Sequence, residues 1–122
     1  MGMLRYQEMS VWDCMEVLRE AHAVRLAVFD GQSPYLVPMG FEWFSQGWQP
    51  VICLMMPSHG RKAEALRRCP HVCLEWEWPR VSGIEVVLGE GEAECVEEEG
   101  EKVIYAVALE EMSGRRYFAP EE

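Results

Sequence analysis

Between residues 24 and 109 the apolar positions recur mainly at every second residue, and only one short stretch in that span has helical spacing. This pattern constrains the fold more than any other feature of the chain. A parallel strand pair needs a crossover of a dozen or more residues, usually a helix. The connections here are short: residues 30–33 (Asp-Gly-Gln-Ser), 45–47 (Ser-Gln-Gly) and 79–83 carry turn chemistry. Helices are too few to cover both faces of a parallel sheet. The pattern therefore predicts a mostly β fold, a small antiparallel barrel with peripheral helices.

The elements follow from local signals. Residues 10–21 predict a helix, with Ser10 as N-cap, Asp13 three residues on, and Val11, Cys14, Met15, Leu18 and Ala21 on one apolar face. His22 lies near its C-terminal end, where a cation suits the helix dipole. Six strands are predicted, at 24–29, 34–44, 51–56, 72–78, 84–96 and 103–109. Pro38 has no N–H to donate and belongs on an edge or at a bulge. Residues 51–56 are continuously apolar and predict a strand buried on both faces. The 84–96 strand is expected to bend at Gly89 or Gly91. Residues 103–109 fit helix or strand; the short run rich in β-formers favours strand, which leaves 97–101 as a turn and Ser113-Gly114 as its close. A second, basic helix is expected at 59–69, ended by Pro70. One domain spans residues 1–122, with about 1–9 and 117–122 expected as flexible ends.

Charge and composition exclude several functions. Eleven Lys and Arg against 21 Asp and Glu give a formal net charge of −10. Such a surface repels phosphate backbones, so neither nucleic acid nor an anionic membrane is an expected partner. No apolar run approaches the ~20 residues of a membrane span, and the first residues lack the apolar core of a signal peptide. The cysteines, Cys14, Cys53, Cys69, Cys73 and Cys95, are odd in number and form no CxxC. They read as reduced thiols packed as small hydrophobes, and the expected location is cytoplasmic. His22, His59 and His71 show no metal-ligand spacing, so no metal is expected. GxSxG, GxxxxGK[ST] and GxGxxG are all absent. Glu75 and Glu77 form a carboxylate pair on one strand face, which reads as a solvated face.

The most informative segment is Met55-Met56-Pro57-Ser58-His59-Gly60-Arg61-Lys62, where a strand ends, a polar loop follows and a helix begins. Helix N-termini present free N–H groups and partial positive charge. Arg61 and Lys62 add full charges at that end, against the dipole. A bound anion, with phosphate the obvious candidate and Ser58 as hydroxyl donor, resolves the conflict. An ordinary Ser58 N-cap with solvated Arg61 and Lys62 fits the local sequence slightly better.

An ordered set of segments extends the reading. Residues 25–41 read RLAVFDGQSPYLVPMGF; Gly60-Arg61-Lys62 follows a strand; residues 66–75 read LRRCPHVCLE; residues 91–96 read GEAECV; residues 107–115 read VALEEMSGR. Together these resemble the pyridoxamine 5'-phosphate oxidase-like, FMN-binding split-barrel family, in particular the small branch that includes the nitroimidazole-resistance reductases. The resemblance covers about residues 10–116. It implies a six-stranded antiparallel split β-barrel that forms a homodimer, with FMN between subunits. It places the flavin ring along Pro38, Met39, Gly40 and Phe41, flanked by Met55, Met56 and Pro57. It places the phosphate at Ser58, His59, Arg61 and Lys62. The implied activity is that of a small flavin-dependent oxidoreductase passing electrons from NAD(P)H to a small-molecule acceptor, with no catalytic side chain identified. The alternative is a non-catalytic flavin or haem binding and storage module, or a barrel that has lost its cofactor. The chain departs from the branch pattern at Met55, where relatives often carry His, and at Gly40, where a polar residue is common. A further departure is the short 97–101 connection, where relatives usually have a helical stretch.

Overall fold

Ser10 accepts the backbone N–H of Asp13 at 3.1 Å and starts helix α1, Val11–Glu20. The computed structural model describes residues 5–119. Cys14, Met15, Val17 and Leu18 bury the inner face of α1, while Val11 is exposed. The remaining elements are β1 (Arg5–Glu8), β2 (Val24–Phe29), β3 (Pro34–Met39), β4 (Glu42–Gln46), β5 (Gln49–Pro57), α2 (Arg61–Arg68), β6 (His71–Arg80), β7 (Gly83–Glu99), β8 (Lys102–Ala108) and β9 (Glu111–Phe118). Every strand pairing is antiparallel.

The described residues form nine strands rather than the expected six. Three differences account for the count. The expected 34–44 strand divides into β3 and β4 at Gly40 and Phe41. Residues 111–118 form β9, which lies along β7 from Gly83↔Phe118 to Glu90↔Glu111. Ser113 and Gly114 are therefore inside a strand and do not end one. Residues 5–8 form β1 against β9, so these parts of the expected loose ends are hydrogen-bonded. The rest of those ends, 1–4 and 120–122, lies outside the described residues. A single chain reading cannot register β1 with β9, because the pairing partners are more than a hundred residues apart.

The sheet is not closed. Its path runs β3-β2-β6-β7-β8-β5-β4, with β9 on β7 and β1 on β9. The ends of the path, β3 and β4, are consecutive in the chain and joined only through Gly40-Phe41. Pro38 sits on β3, an edge strand, where its missing N–H breaks no ladder. β7 is shared by the two halves: residues 83–92 pair with β6, and 93–99 pair with β8. Gly91 lies at the transfer, where an added Cβ would come within 2.4 Å of the Ala108 carbonyl oxygen. The register shift itself falls between Cys95 and Glu97. β7 runs on to Glu99, so the expected 97–101 turn shrinks to Gly100 and Glu101, with Gly100 at φ 61°.

The core gathers Leu26, Ile52, Leu54, Leu74, Trp76, Val87 and Val107 from the strands with Leu18 and Leu66 from the helices. A fully buried side chain of this size contributes about 2 kcal/mol from removal of its apolar surface from water. One carboxylate is buried with it. Glu85 is 3% exposed and accepts from Arg80 Nε at 2.8 Å and Arg116 Nε at 2.8 Å. Arg80 also meets Glu20 at 3.0 Å, and Arg116 meets Asp13 at 3.5 Å, so the network ties α1 to the sheet.

Candidate functional site

β5 was expected to be buried on both faces, and it is not. Val51, Ile52, Leu54 and Met56 are buried, Cys53 is half-buried, and Met55 is 59% exposed. Alternation along the strand sends Met56 to the core and Met55 outward. The outward face continues across the sheet through the register pairs Glu42↔Cys53 and Met55↔Ile104. Gly40, Phe41, Glu42, Cys53, Met55 and Ile104 line an open depression of about 370 Å³. Met55 and Ile104 also line an adjoining depression of about 500 Å³ with Glu97, Glu99, Glu101 and Lys102. Phe41 is braced from below by Trp76, ring centroids 5.8 Å apart and planes at 69°. Of the residues expected around a flat ring, the structure brings Gly40, Phe41 and Met55 to one wall. Pro38 is exposed on β3, Met39 is half-buried against the core, and Met56 is 2% exposed within it.

The polar end lies where β5 passes into α2. Ser58 is 3% exposed. Its backbone is clamped: the N–H donates to the Glu101 carbonyl at 2.7 Å, and the carbonyl accepts from Arg67. Ser58 is not the N-cap of α2. That position is Gly60, at φ 113° and without a side-chain hydrogen bond, so the first amides of the helix have no cap. His59 is exposed beside it, and Pro57 is exposed at the end of β5. Lys62 is half-buried and has no counter-ion among the described residues.

Arg61 is differently placed. Its Nε and Nη2 donate to Asp30 Oδ2 at 3.0 and 2.8 Å, and the guanidinium lies over the Tyr35 ring, 4.1 Å from the centroid. Asp30 is held well below the usual carboxylate range, at about 2, by backbone N–H groups of Ser33 and Gln32 and then by Arg61. Cys53 is pushed up from its ordinary value by burial and by Glu42, so at neutral pH it is a thiol. Among the described residues no group of three or more His, Cys, Asp or Glu is placed to hold a metal ion, and no helix is long and apolar enough to cross a membrane. The sequence reading missed Glu42, Cys53 and Ile104 in the cavity wall and Asp30 and Tyr35 around Arg61. Strand register alone brings the first three together. Asp30 was legible as a turn residue, but its reach to Arg61 spans 31 positions and leaves no local signal.

No protein-family model matches the sequence, and no curated protein sequence matches it. Solved structures do match its fold. A candidate 5-nitroimidazole antibiotic resistance protein of Bacteroides thetaiotaomicron superposes with a TM-score of 0.83 at 16% identity, covering 95% of this chain and 90% of its own. A FAD-binding protein of Mesorhizobium loti gives 0.81 at 21% identity, covering 96% and 100%. A candidate pyridoxamine 5'-phosphate oxidase of Corynebacterium glutamicum gives 0.74 at 15% identity, covering 98% and 100%. The chain thus shares its fold with these structures, among them one described as a pyridoxamine 5'-phosphate oxidase, which is the fold that the ordered sequence segments implied.

Proposed function

We propose that the protein binds FMN, works as a homodimer, and is a small flavin-dependent oxidoreductase that passes electrons from NAD(P)H to a small-molecule acceptor. The observation that carries this reading is the polar end of the site. The Ser58 side chain, an uncapped helix start and a half-buried Lys62 without a counter-ion lie within five residues of one another. A helix start with free amides favours an anion, and a serine hydroxyl beside it can donate to one. The fold neighbour described as FAD-binding supports a flavin. A single cluster on an eight-residue helix suits one phosphate, hence FMN.

In this reading Ser58, Arg61, Lys62 and the first amides of α2 hold the phosphate, with His59 at its rim. The ring lies along residues 38–41 with Met55 beside it. The bound flavin supplies hydride and single-electron chemistry. The chain supplies placement: Phe41, braced on Trp76, and Met55 offer apolar contact that excludes water from one wall. Cys53 in that wall stays protonated and provides no thiolate. All five cysteines are free, in keeping with a reducing cytoplasm. A second reading, flavin or haem binding without turnover, is favoured by the cavity lining, whose only ionisable groups are Glu42 and Cys53.

The test is the visible spectrum of the purified protein after incubation with FMN and gel filtration. Retained flavin bands, lost in Lys62→Ala, are expected. A Soret band points to haem, and a colourless protein that ignores FMN overturns the reading. NAD(P)H oxidation with nitro and quinone acceptors then separates enzyme from binding module.

A further inference from the structure

The β2–β3 turn is built around one carboxylate. Asp30 Oδ1 accepts the backbone N–H groups of Gln32 and Ser33, both at 2.9 Å. That leaves Oδ2 for Arg61, which reaches it with Nε and Nη2. Ser33 Oγ lies 3.4 Å from the same Nη2, and Arg68 Nη1 lies 3.4 Å from the Asp30 carbonyl oxygen. The Tyr35 ring covers one face of the guanidinium. Two of the three guanidinium nitrogens of Arg61 are thereby committed. The third, Nη1, has no partner among the described residues.

An arginine side chain is rich in rotamers, and ordering it at the moment of binding weakens the complex. Here the ordering is done beforehand by the turn and the tyrosine. Asp30 also offsets the charge of Arg61, so what it adds is geometry and not positive potential. We infer that Asp30 is a positioning residue for anion recognition: it holds Arg61 so that Nη1 is presented, already ordered, to the phosphate of the flavin. The inference rests on the flavin reading above and adds a residue that touches no ligand itself.

The ratio of riboflavin to FMN dissociation constants isolates the phosphate contribution from ring binding and from folding. Both flavins are titrated into the wild type, Asp30→Asn, Arg61→Ala and the double variant. Asp30→Asn is expected to lower the preference for FMN about three- to tenfold, the scale of losing one pre-ordered side chain, with riboflavin affinity retained. In the Arg61→Ala background Asp30→Asn is expected to change nothing further, since its effect passes through Arg61. Tyr35→Leu leaves the hydrogen bonds of the turn in place and is expected to shift the ratio in the same direction. An unchanged ratio in Asp30→Asn and Tyr35→Leu overturns the inference. So does tighter FMN binding in Asp30→Asn, which makes Asp30 a competitor of the phosphate, or an undiminished Asp30→Asn effect without Arg61. A wild type that binds neither flavin, or both equally, removes the phosphate site itself and this inference with it.

Discussion

Asp30 and Cys14 are the two side chains whose ionisation is displaced furthest by named neighbours. Asp30 sits near 2 in the folded chain, against about 3.8 for a free carboxyl. A depressed carboxyl adds stability above its unfolded value and loses it as the pH falls through the folded one. The wild type should therefore be more stable than Asp30→Asn at neutral pH, and the gap should close between about pH 4 and pH 2, measured by denaturant titration across that range. Cys14 moves the other way, pushed up to about 11 by burial and by the charges of Asp13 and Glu85. The thiolate is the reactive form, so native protein should leave Cys14 unlabelled by an alkylating reagent. Exposed Cys95 should label first, and Cys14 only on unfolding, as followed by peptide mass spectrometry.

β7 carries the architecture at the level of elements. It is the one strand that serves both halves of the sheet, and it changes partners between Glu92 and Ala93, beside Gly91. A side chain there meets the backbone of β8 at 2.4 Å, and a backbone carbonyl cannot rotate away as a side-chain tip can. Gly91→Val should therefore destabilise the fold by about 2–3 kcal/mol or prevent folding, read as a lowered thermal midpoint. The helix α1 is attached by different means. Its apolar face packs on the core, and Asp13 and Glu20 join the network around Glu85. Glu85→Gln leaves two partly exposed arginines without their shared carboxylate and should cost about 2 kcal/mol in denaturant unfolding. These elements were unequally legible. Helix α1 and its Ser10 cap follow from spacing and side-chain chemistry within a single turn. β9 and β1 carry weak patterns, such as Glu111-Met112-Ser113-Gly114; β9 exists because β7 offers it an edge, and β1 because β9 in turn offers one.

For the whole molecule, the open sheet has a consequence for assembly. Trp48 is 84% exposed and Trp12 76%, and Phe44, Met55 and Leu36 are exposed as well. Aromatic side chains at such exposure suit a protein interface. With the two depressions around Met55 open to solvent, a second chain is the proposed cover. Sedimentation should give twice the chain mass at micromolar concentration, and a monomer would undercut a cofactor site shared between subunits. With a charge of −10 the molecule should bind nucleic acid poorly, and a shift assay on random duplex at physiological salt is expected to show no retardation.

What the sequence determined by itself was the class of fold and the address of the proposed anion-binding end. Period-two patterning and short turns act between neighbouring residues and rule out a parallel sheet. The step from β5 through Ser58 to a basic helix is likewise local. Only the tertiary structure decided that the sheet stays open at Gly40-Phe41, that Met55 faces out while Met56 faces the core, and that Asp30 holds Arg61. Each of those depends on strand register and on contacts across tens of residues. Pairing energies between distant segments set them, and no window of the chain contains both partners.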